Sequence, residues 1–273
     1  MASPNSKERQ YGLLWKIEKK GYRPSYILGT MHSDDSRVIN PPAVILEKLR
    51  SSDSFVAELK LDGFSIQEAN QLMLLPEGQK LQNLIGLKRF QTCVRLLAEY
   101  QIQKSMVQRM KPWAVMVSLS MPKSRTGIVL DYFLYQEAVH AGKKTYGLET
   151  NREQVAVFES FSLQDQIIML DDAIKEFPRL PALFDELLTY YLQRDLTRLE
   201  EVSNKYMLQG NNFVAKVFKQ RALVERNYRM LRRMKPRLVE GNSFIAVGAL
   251  HLPGDEGILR LLKREGYIVT SVY

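Results

Sequence analysis

The chain has 273 residues, and its 39 Lys and Arg against 30 Asp and Glu give a formal net charge of +9. Hydrophobic residues make up 45% and charged residues 25%, a composition that excludes global disorder and is sufficient for a core. No apolar run approaches the roughly 18 residues needed to cross a bilayer, so no transmembrane segment is expected. The single cysteine, Cys93, excludes an intramolecular disulfide and any cysteine-based zinc or iron–sulfur site.

The N-terminus carries no recognisable signal peptide. Residues 1–6 are polar, and residues 11–17 are too short and too polar to be the apolar region of such a signal. These features fit the bacterial cytoplasm, or the periplasm or exterior if a leader has been removed. The sequence leaves both the compartment and the oligomeric state open.

The first elements in chain order predict a hairpin and then a βαβ unit. Two short apolar runs, residues 13–18 and 26–28, flank a segment with glycine and proline, which is typical of a turn. After a polar loop over 32–40, residues 41–50 are predicted as a helix that begins at two prolines. Residues 54–59 are the next predicted strand. Strand, helix and strand in succession are typical of a parallel sheet.

The middle of the chain is predicted to be helical. Within residues 66–110, four apolar residues recur at spacings of three and four and predict one buried face: Leu87, Phe90, Val94 and Leu97. Residues 113–119 fit either a strand or a buried helix, and residues 131–141 are predicted as a helix. A further helical stretch covers residues 152–235, with breaks at prolines and a glycine.

The remaining elements return to strands. Residues 144–148, 243–247 and 267–272 are predicted strands, and a helix is predicted over 257–265.

We therefore predict one α/β domain over residues 1–273. Its sheet is expected to be mixed, parallel at its centre, and built from both ends of the chain with flanking helices. Residues 62–125 and 152–238 are expected to form a helical cap.

Two segments share an apolar strand followed by Gly-x-x-His. Residues 25–35 align with residues 244–255, and the alignment pairs two glycines and two histidines: Gly29 with Gly248, and His32 with His251. Each histidine would lie just past the carboxyl end of its strand, where ligand sites form in open α/β sheets. Two imidazoles with nearby carboxylates are a suitable ligand set for a divalent transition metal. The alternative, that each histidine only caps its loop, stays open.

Three carboxylates stand at informative positions. Glu58 follows an apolar strand, where a carboxylate is costly unless it is paired or coordinating, so it is predicted to be a metal ligand or to support one. Glu149 occupies the same kind of position and is the candidate general base on a metal-bound water, or a further ligand. Asp131 begins a helix, and an N-cap role is favoured over catalysis there.

Arginines repeat at helical spacing near the end of the long helical stretch. Arg226 is predicted to pair with a site carboxylate or to bind a substrate carbonyl or carboxylate. Arg229, Arg233 and Arg237 are interpreted as a solvated face. Because the other positive charges are dispersed and no aromatic platform accompanies them, nucleic-acid binding is not expected.

These residues together resemble the TraB/PrgY/GumN family, relatives of the Tiki metalloproteases. The matching motifs are Gly-Thr-Met-His at 29–32, Glu58, Gly-Leu-Glu-Thr at 147–150 followed by Glu153-Gln154, the pair Arg226-Asn227, and the closing stretch 247–267. The resemblance spans residues 14–270, and its closing motif is the specific one.

The resemblance implies a metal-dependent hydrolase fold related to the haem-binding ChaN-like and the erythromycin-esterase-like proteins. In Tiki relatives the two histidines support manganese- or cobalt-dependent proteolysis, and zinc is a further option here. The expected roles are metal binding by His32, Glu58 and His251, catalysis by Glu149 and Arg226, and contact with a peptide or small-molecule substrate by Asp131 and Asn227.

Two other functions stay open at this point. The scaffold could bind a peptide, haem or metal without turnover, or it could hydrolyse esters without metal, with one of the two histidines as base.

Overall fold

The computed structural model describes residues 9–124, 126–207 and 210–273, so the polar segment 1–6 lies outside the described residues. Six strands are present in this part: β1 Leu14–Glu18, β2 Ser25–Thr30, β3 Ser54–Ala57, β4 Lys144–Gly147, β5 Ser243–Gly248 and β6 Ile268–Ser271. They form one sheet in the order β4-β3-β5-β2-β1-β6.

The sheet is mixed and parallel at its centre, as predicted. Strands β4, β3, β5 and β2 pair in parallel, whereas β1 is antiparallel to both β2 and β6. The central strands β3 and β5 are buried along nearly their whole length, which is why they read as unbroken apolar runs rather than as alternating ones. The carboxyl ends of the four parallel strands therefore meet at one edge.

Helices make up most of the rest of the described chain. They are α1 Ser36–Ile39, α2 Ala43–Ser51, α3 Gly63–Leu72, α4 Leu81–Ile85, α5 Leu87–Leu97, α6 Lys104–Val107, α7 Pro112–Leu119, α8 Leu130–His140, α9 Asn151–Glu159, α10 Leu163–Glu176, α11 Leu180–Leu192, α12 Leu196–Met207, α13 Asn212–Lys219, α14 Glu225–Glu240 and α15 Ile258–Arg264. A π-helical segment, Gln220–Val224, joins α13 to α14.

The structure corrects two local predictions and decides one that was left open. The loop over 32–40 contains the short helix α1, because the Asp35 side chain accepts a hydrogen bond from the backbone N–H of Arg37 and caps it. The ambiguous segment 113–119 belongs to helix α7, with a proline in its first turn. On helix α5, Leu87 is 56% exposed, and Cys93 takes its place on the buried face. Leu87 is the first residue of helix α5, and its side chain does not reach the residues that cover the rest of the apolar face.

Two hydrophobic clusters organise the described residues. One surrounds the sheet and includes buried residues of α2, α8, α14 and α15. The other is formed by helices, mainly α4, α5, α7 and α10, and lies within the segments predicted as a cap. An apolar cavity of about 330 Å³ lies among α7, α9, α10, α12 and α13. The boundaries of the cap stay a prediction. Within the described ranges, no helix has the length and apolarity that crossing a membrane requires.

Gly29 sits at a close approach between the end of β2 and the turn after β5. A β-carbon added there would lie 2.8 Å from Leu252 Cδ1 and 3.0 Å from Ala249 Cα. The carbonyl of Gly29 also accepts a hydrogen bond of 3.0 Å from the buried Tyr191 hydroxyl. The first glycine of the repeated motif is therefore required by packing, and it lets the two motif segments lie side by side.

Replacing Gly29 with alanine should destabilise the fold by about 1–3 kcal/mol, because the added methyl overpacks a backbone contact. Gly63 is a matched control, since it begins a helix with open space around its α-carbon. Gly63→Ala should be neutral or stabilising by up to about 1 kcal/mol. Urea unfolding of both variants measures the difference, and equal stabilities would contradict the packing argument.

Candidate functional site

Four charged or titratable side chains meet at the carboxyl edge of the parallel strands. Glu58 directly follows β3, Glu149 lies two residues after β4, His251 ends a 3₁₀ turn after β5, and Arg226 comes from α14. The backbone N–H of Glu149 donates to the carbonyl of Glu58 at 2.8 Å, so the parallel pairing continues past the strands. This pairing places the two carboxylates next to each other.

The two oxygens of Glu58 face different partners. Oε1 accepts a hydrogen bond of 2.7 Å from the backbone N–H of Gly248, and Oε2 accepts one of 2.6 Å from Nη2 of Arg226. Burial opposes ionisation here, but the charge that His251 carries when it is protonated, the Arg226 guanidinium and the N–H of Gly248 lower the pKa of Glu58 below its ordinary value. Glu58 is therefore ionised at neutral pH.

Glu149 is buried and held by two arginines. Its side chain has no exposed surface. Oε2 accepts a hydrogen bond of 2.8 Å from Nε of Arg226, and Oε1 accepts one of 2.9 Å from Nη1 of Arg229. Gln154 lies between the carboxylates, with Nε2 3.2 Å from Oε2 of Glu149 and 3.3 Å from Oε2 of Glu58. The predicted role of Glu149 as a base stays a prediction, and both of its oxygens are engaged.

Two members of the arginine stripe on α14, Arg229 and Arg237, are partly buried, so the interpretation of a solvated face was wrong for them, whereas Arg233 is exposed as expected. Arg229 binds Glu149, and Arg233 binds both oxygens of Glu153 and the carbonyl of Leu148. The guanidinium of Arg237 lies 4.3 Å from the ring centroid of Tyr146. Helical spacing showed that these residues share a face, but the carboxylates that they meet come from distant strands.

His251 is a buried imidazole with a hydrogen bond at one ring nitrogen, Nδ1. Its side chain is 6% exposed, and Nε2 lies 3.6 Å from Oε1 of Glu58. Nδ1 is 2.6 Å from Oδ1 of Asn227. Burial lowers the pKa of His251 to about 4, helped by the charge of Arg226 and opposed by that of Glu58. The ring is therefore neutral at pH 7.

Asn227 lies beneath His251 rather than on an open surface. It is 3% exposed, and its Nδ2 donates a hydrogen bond of 2.8 Å to the carbonyl of Glu256. Both polar ends of the side chain are thus engaged within the protein. Asn227 also lines a cleft of about 220 Å³ together with Leu250, Gly254 and Glu256. Its predicted contact with substrate stays untested.

Asp131 is not an N-cap, which corrects that part of the prediction. Helix α8 begins one residue earlier with Val129 as its N-cap, and the Asp131 carboxylate accepts a hydrogen bond of 2.6 Å from the Thr30 hydroxyl. Burial of the carboxyl raises the pKa of Asp131, and so does the charge of Glu58, against the Thr30 hydrogen bond and the field of His32.

His32 lies in the segment between β2 and α1 and is exposed. Its charge lowers the pKa of Asp131, so the imidazole is within electrostatic range of that carboxyl. Among the residues that the structure describes, no group of three or more His, Cys, Asp or Glu side chains is arranged to hold a metal ion. The structure thus brings together two of the three predicted ligands, Glu58 and His251, and does not gather His32 with them.

Sequence reasoning gave no site role to Gln154, Arg229 or Thr30. Gln154 stands one helical turn after Thr150 and within the quoted motif, and Thr30 belongs to the first Gly-x-x-His segment. Their motif positions were the available signals. For Arg229, the signal was its place one helical turn after Arg226.

Comparison with known proteins identifies the family. The model of the TraB/PrgY/gumN family matches residues 13–271. The chain belongs to this family. No solved structure matches the chain, so the likeness to ChaN-like and erythromycin-esterase-like folds stays a prediction.

Relatives of this TraB/PrgY/gumN family member include proteins named as metalloproteases. Metalloprotease TIKI2 of Danio rerio is 26% identical over 320 residues, covering 97% of this chain and 62% of that protein. Metalloprotease TIKI1 of Homo sapiens is 26% identical over 309 residues, covering 94% and 61%. The uncharacterized protein YbaP of Escherichia coli is 24% identical over 257 residues, covering 90% of both chains. The chain thus spans 62% of the length of the TIKI2 relative.

The capping box at the start of α9 fixes the segment that carries Glu149 and Gln154. Glu153 accepts a hydrogen bond of 2.9 Å from the backbone N–H of Thr150, and Arg233 binds both of its oxygens. The Arg233 hydrogen bonds lower the pKa of Glu153 from 4.5 to about 2. Because the folded-state pKa is depressed, the stabilisation is complete above pH 4.5 and is lost as the pH falls through about 2.

We expect Glu153→Gln to keep the cap and lose only the charge, at a cost of up to about 1 kcal/mol at pH 7. Glu153→Ala should lose about 0.5–2 kcal/mol more, because it also removes the capping hydrogen bond. Urea unfolding at pH 7 and at about pH 3 measures both differences. The deficit of the glutamine variant should shrink at the lower pH, and a deficit independent of pH would refute the electrostatic part.

Arg226→Met should destabilise the protein by about 3–5 kcal/mol at pH 7, because the buried Glu149 and the partly buried Glu58 lose their shared cation. Arg237→Met is the control on the same helix, since it removes a stacked and partly exposed guanidinium and should cost about 1 kcal/mol. Adding Glu58→Gln to Arg226→Met should restore part of the loss. Equal losses for the two single arginine variants in urea unfolding would contradict the bridging role.

Proposed function

We propose that the chain is a divalent-metal-dependent hydrolase that cleaves peptide bonds at the carboxyl edge of its sheet. The observation that supports this most directly is the neutral, buried His251, whose Nε2 lies 3.6 Å from the ionised Glu58. The names of the TIKI relatives add the reaction class, since those proteins are metalloproteases.

Two of the three proposed ligand side chains, His251 and Glu58, lie close together and are suited to a divalent transition metal. A neutral imidazole nitrogen and a carboxylate oxygen are ligands that manganese, cobalt and zinc accept. We assign His251 and Glu58 as two of the ligands and His32 as the third, contributed by the segment after β2. When bound, the metal would supply a water of lowered pKa and polarise a carbonyl oxygen.

The remaining site residues, Arg226, Glu149 and Asp131, are assigned supporting roles. Arg226 keeps Glu58 ionised and oriented, because its guanidinium donates to both Glu58 and Glu149. In this proposal Glu149 mainly holds Arg226 in place, since two arginines occupy its oxygens. Asp131 accepts a hydrogen bond from the Thr30 hydroxyl, and burial raises its pKa, so it is a further candidate to accept or release a proton.

A second candidate function is metal-free ester hydrolysis with His251 as base. The same observation favours it, because a neutral imidazole has one ring nitrogen with a lone pair, which is what a general base needs. The two functions differ in their response to chelation: complete removal of metal should abolish the first and leave the second intact.

The experiment begins with elemental mass spectrometry of protein stripped of metal and then offered manganese, cobalt or zinc. We expect about one metal per chain in the wild type and a marked loss in His251→Ala and in His32→Ala. His140→Ala is the control, because His140 is exposed at the end of α8 and stands outside the motif.

A peptide library screened with the loaded protein then tests turnover. Cleavage that disappears in His251→Ala and persists in His140→Ala supports the peptidase. Metal binding without cleavage would instead favour a binding protein, and full ester hydrolysis after chelation would favour the metal-free esterase.

A further inference from the structure

The hydrogen bonds around Asn227 determine which way its amide points. Nδ2 lies 2.8 Å from the backbone carbonyl of Glu256, and a carbonyl oxygen can only accept. The NH₂ group must therefore face Glu256. The amide oxygen, Oδ1, is left facing His251.

This orientation determines where the proton of His251 resides. Oδ1 of Asn227 can only accept, so Nδ1 of His251, at 2.6 Å, must be the donor. A neutral imidazole carries one ring proton, and Nε2 then keeps its lone pair. That lone pair is directed to the side where Oε1 of Glu58 lies, 3.6 Å away.

The carbonyl of Glu256 is held by a tight turn that only glycine permits. A β-carbon on Gly257 would lie 2.0 Å from the carbonyl oxygen of Pro253. Gly254 has a φ of +86°, a conformation that favours glycine, and its carbonyl accepts a hydrogen bond of 3.2 Å from Gly257 N–H. The closing motif thus returns the chain so that the Glu256 carbonyl meets Asn227.

Asn227, which links the Glu256 carbonyl to His251, is itself positioned by helix α14. Arg226 and Asn227 are consecutive and point to different parts of the site, one to the carboxylates and the other to the imidazole. The π-helical segment before α14 ends at Val224, two residues before Arg226. Such segments shift the register of a helix and recur at functional sites.

We infer that Asn227 is a positioning residue that holds His251 as the Nδ1–H tautomer and presents its Nε2 lone pair toward Glu58. Asn227 acts through His251 and through the Glu256 carbonyl rather than by contact with substrate. The inference rests on the proposed function only in the use made of that lone pair, because the tautomer itself is a property of the protein alone.

The test is nuclear magnetic resonance of protein labelled with ¹⁵N at its three histidines. Spectra of His32→Ala and His140→Ala assign the His251 ring by elimination. The wild type should show a proton on Nδ1 and none on Nε2 at pH 7. Asn227→Leu, which keeps the volume and removes both hydrogen bonds, should show a mixture of tautomers.

Tyr228→Phe is the matched control, since Tyr228 donates to the Glu256 carboxylate at 2.5 Å and not to its carbonyl. It should leave the His251 ring as in the wild type. A wild-type ring protonated on Nε2 would overturn the inference whether or not Asn227→Leu folds. An unchanged ring in folded Asn227→Leu would overturn it as well.

Binding of manganese, cobalt or zinc alone gives a second readout. Asn227→Leu should bind the metal that the wild type takes up at least about 10-fold more weakly than Tyr228→Phe does. If the wild type takes up no metal, the proposed function fails, while the tautomer measurement still decides the role of Asn227.

Discussion

The arrangement of the site depends on one guanidinium, that of Arg226, which is shared by two carboxylates. Glu58 and Glu149 end neighbouring parallel strands, and the backbone pairing that continues past those strands forces their carboxylates together. Two like charges in a poorly solvated place are costly, and Arg226 offsets this by donating to both. Arg229 adds a second positive charge on Glu149. Helix α14 is therefore fixed against the sheet edge by charge as well as by its apolar face.

That arrangement leaves Glu58 with two distinct sides. Oε2 belongs to the ion pair with Arg226, and Oε1 faces Gly248 and His251. A change at Arg226 thus reaches the imidazole through a single carboxylate. Because Asn227 follows Arg226 directly, the same turn of α14 also contacts His251 from its other side. Adjacent residues of one helix control both the charge and the orientation of the site.

The sequence allowed prediction of the strands and of the repeated motif, because both are local. The buried strands read as apolar runs, and Gly29 and Gly248 mark backbone positions where a partner approaches closely. The direction of the arginine stripe could not be predicted, since periodicity tells which residues share a face and not what that face meets. Likewise, Gly-x-x-His spacing placed His32 near the sheet edge but could not predict that its side chain is exposed.

The arginines also constrain what the site can bind. Arg226 and Arg229 together cancel the charges of Glu58 and Glu149, so this group of four has no net charge at neutral pH. A divalent cation would then be attracted mainly by its direct ligands rather than by a general negative field. Under that condition the placement of each donor atom matters more than the number of nearby carboxylates. A neutral histidine whose lone pair is fixed in direction is the kind of ligand that such a site requires.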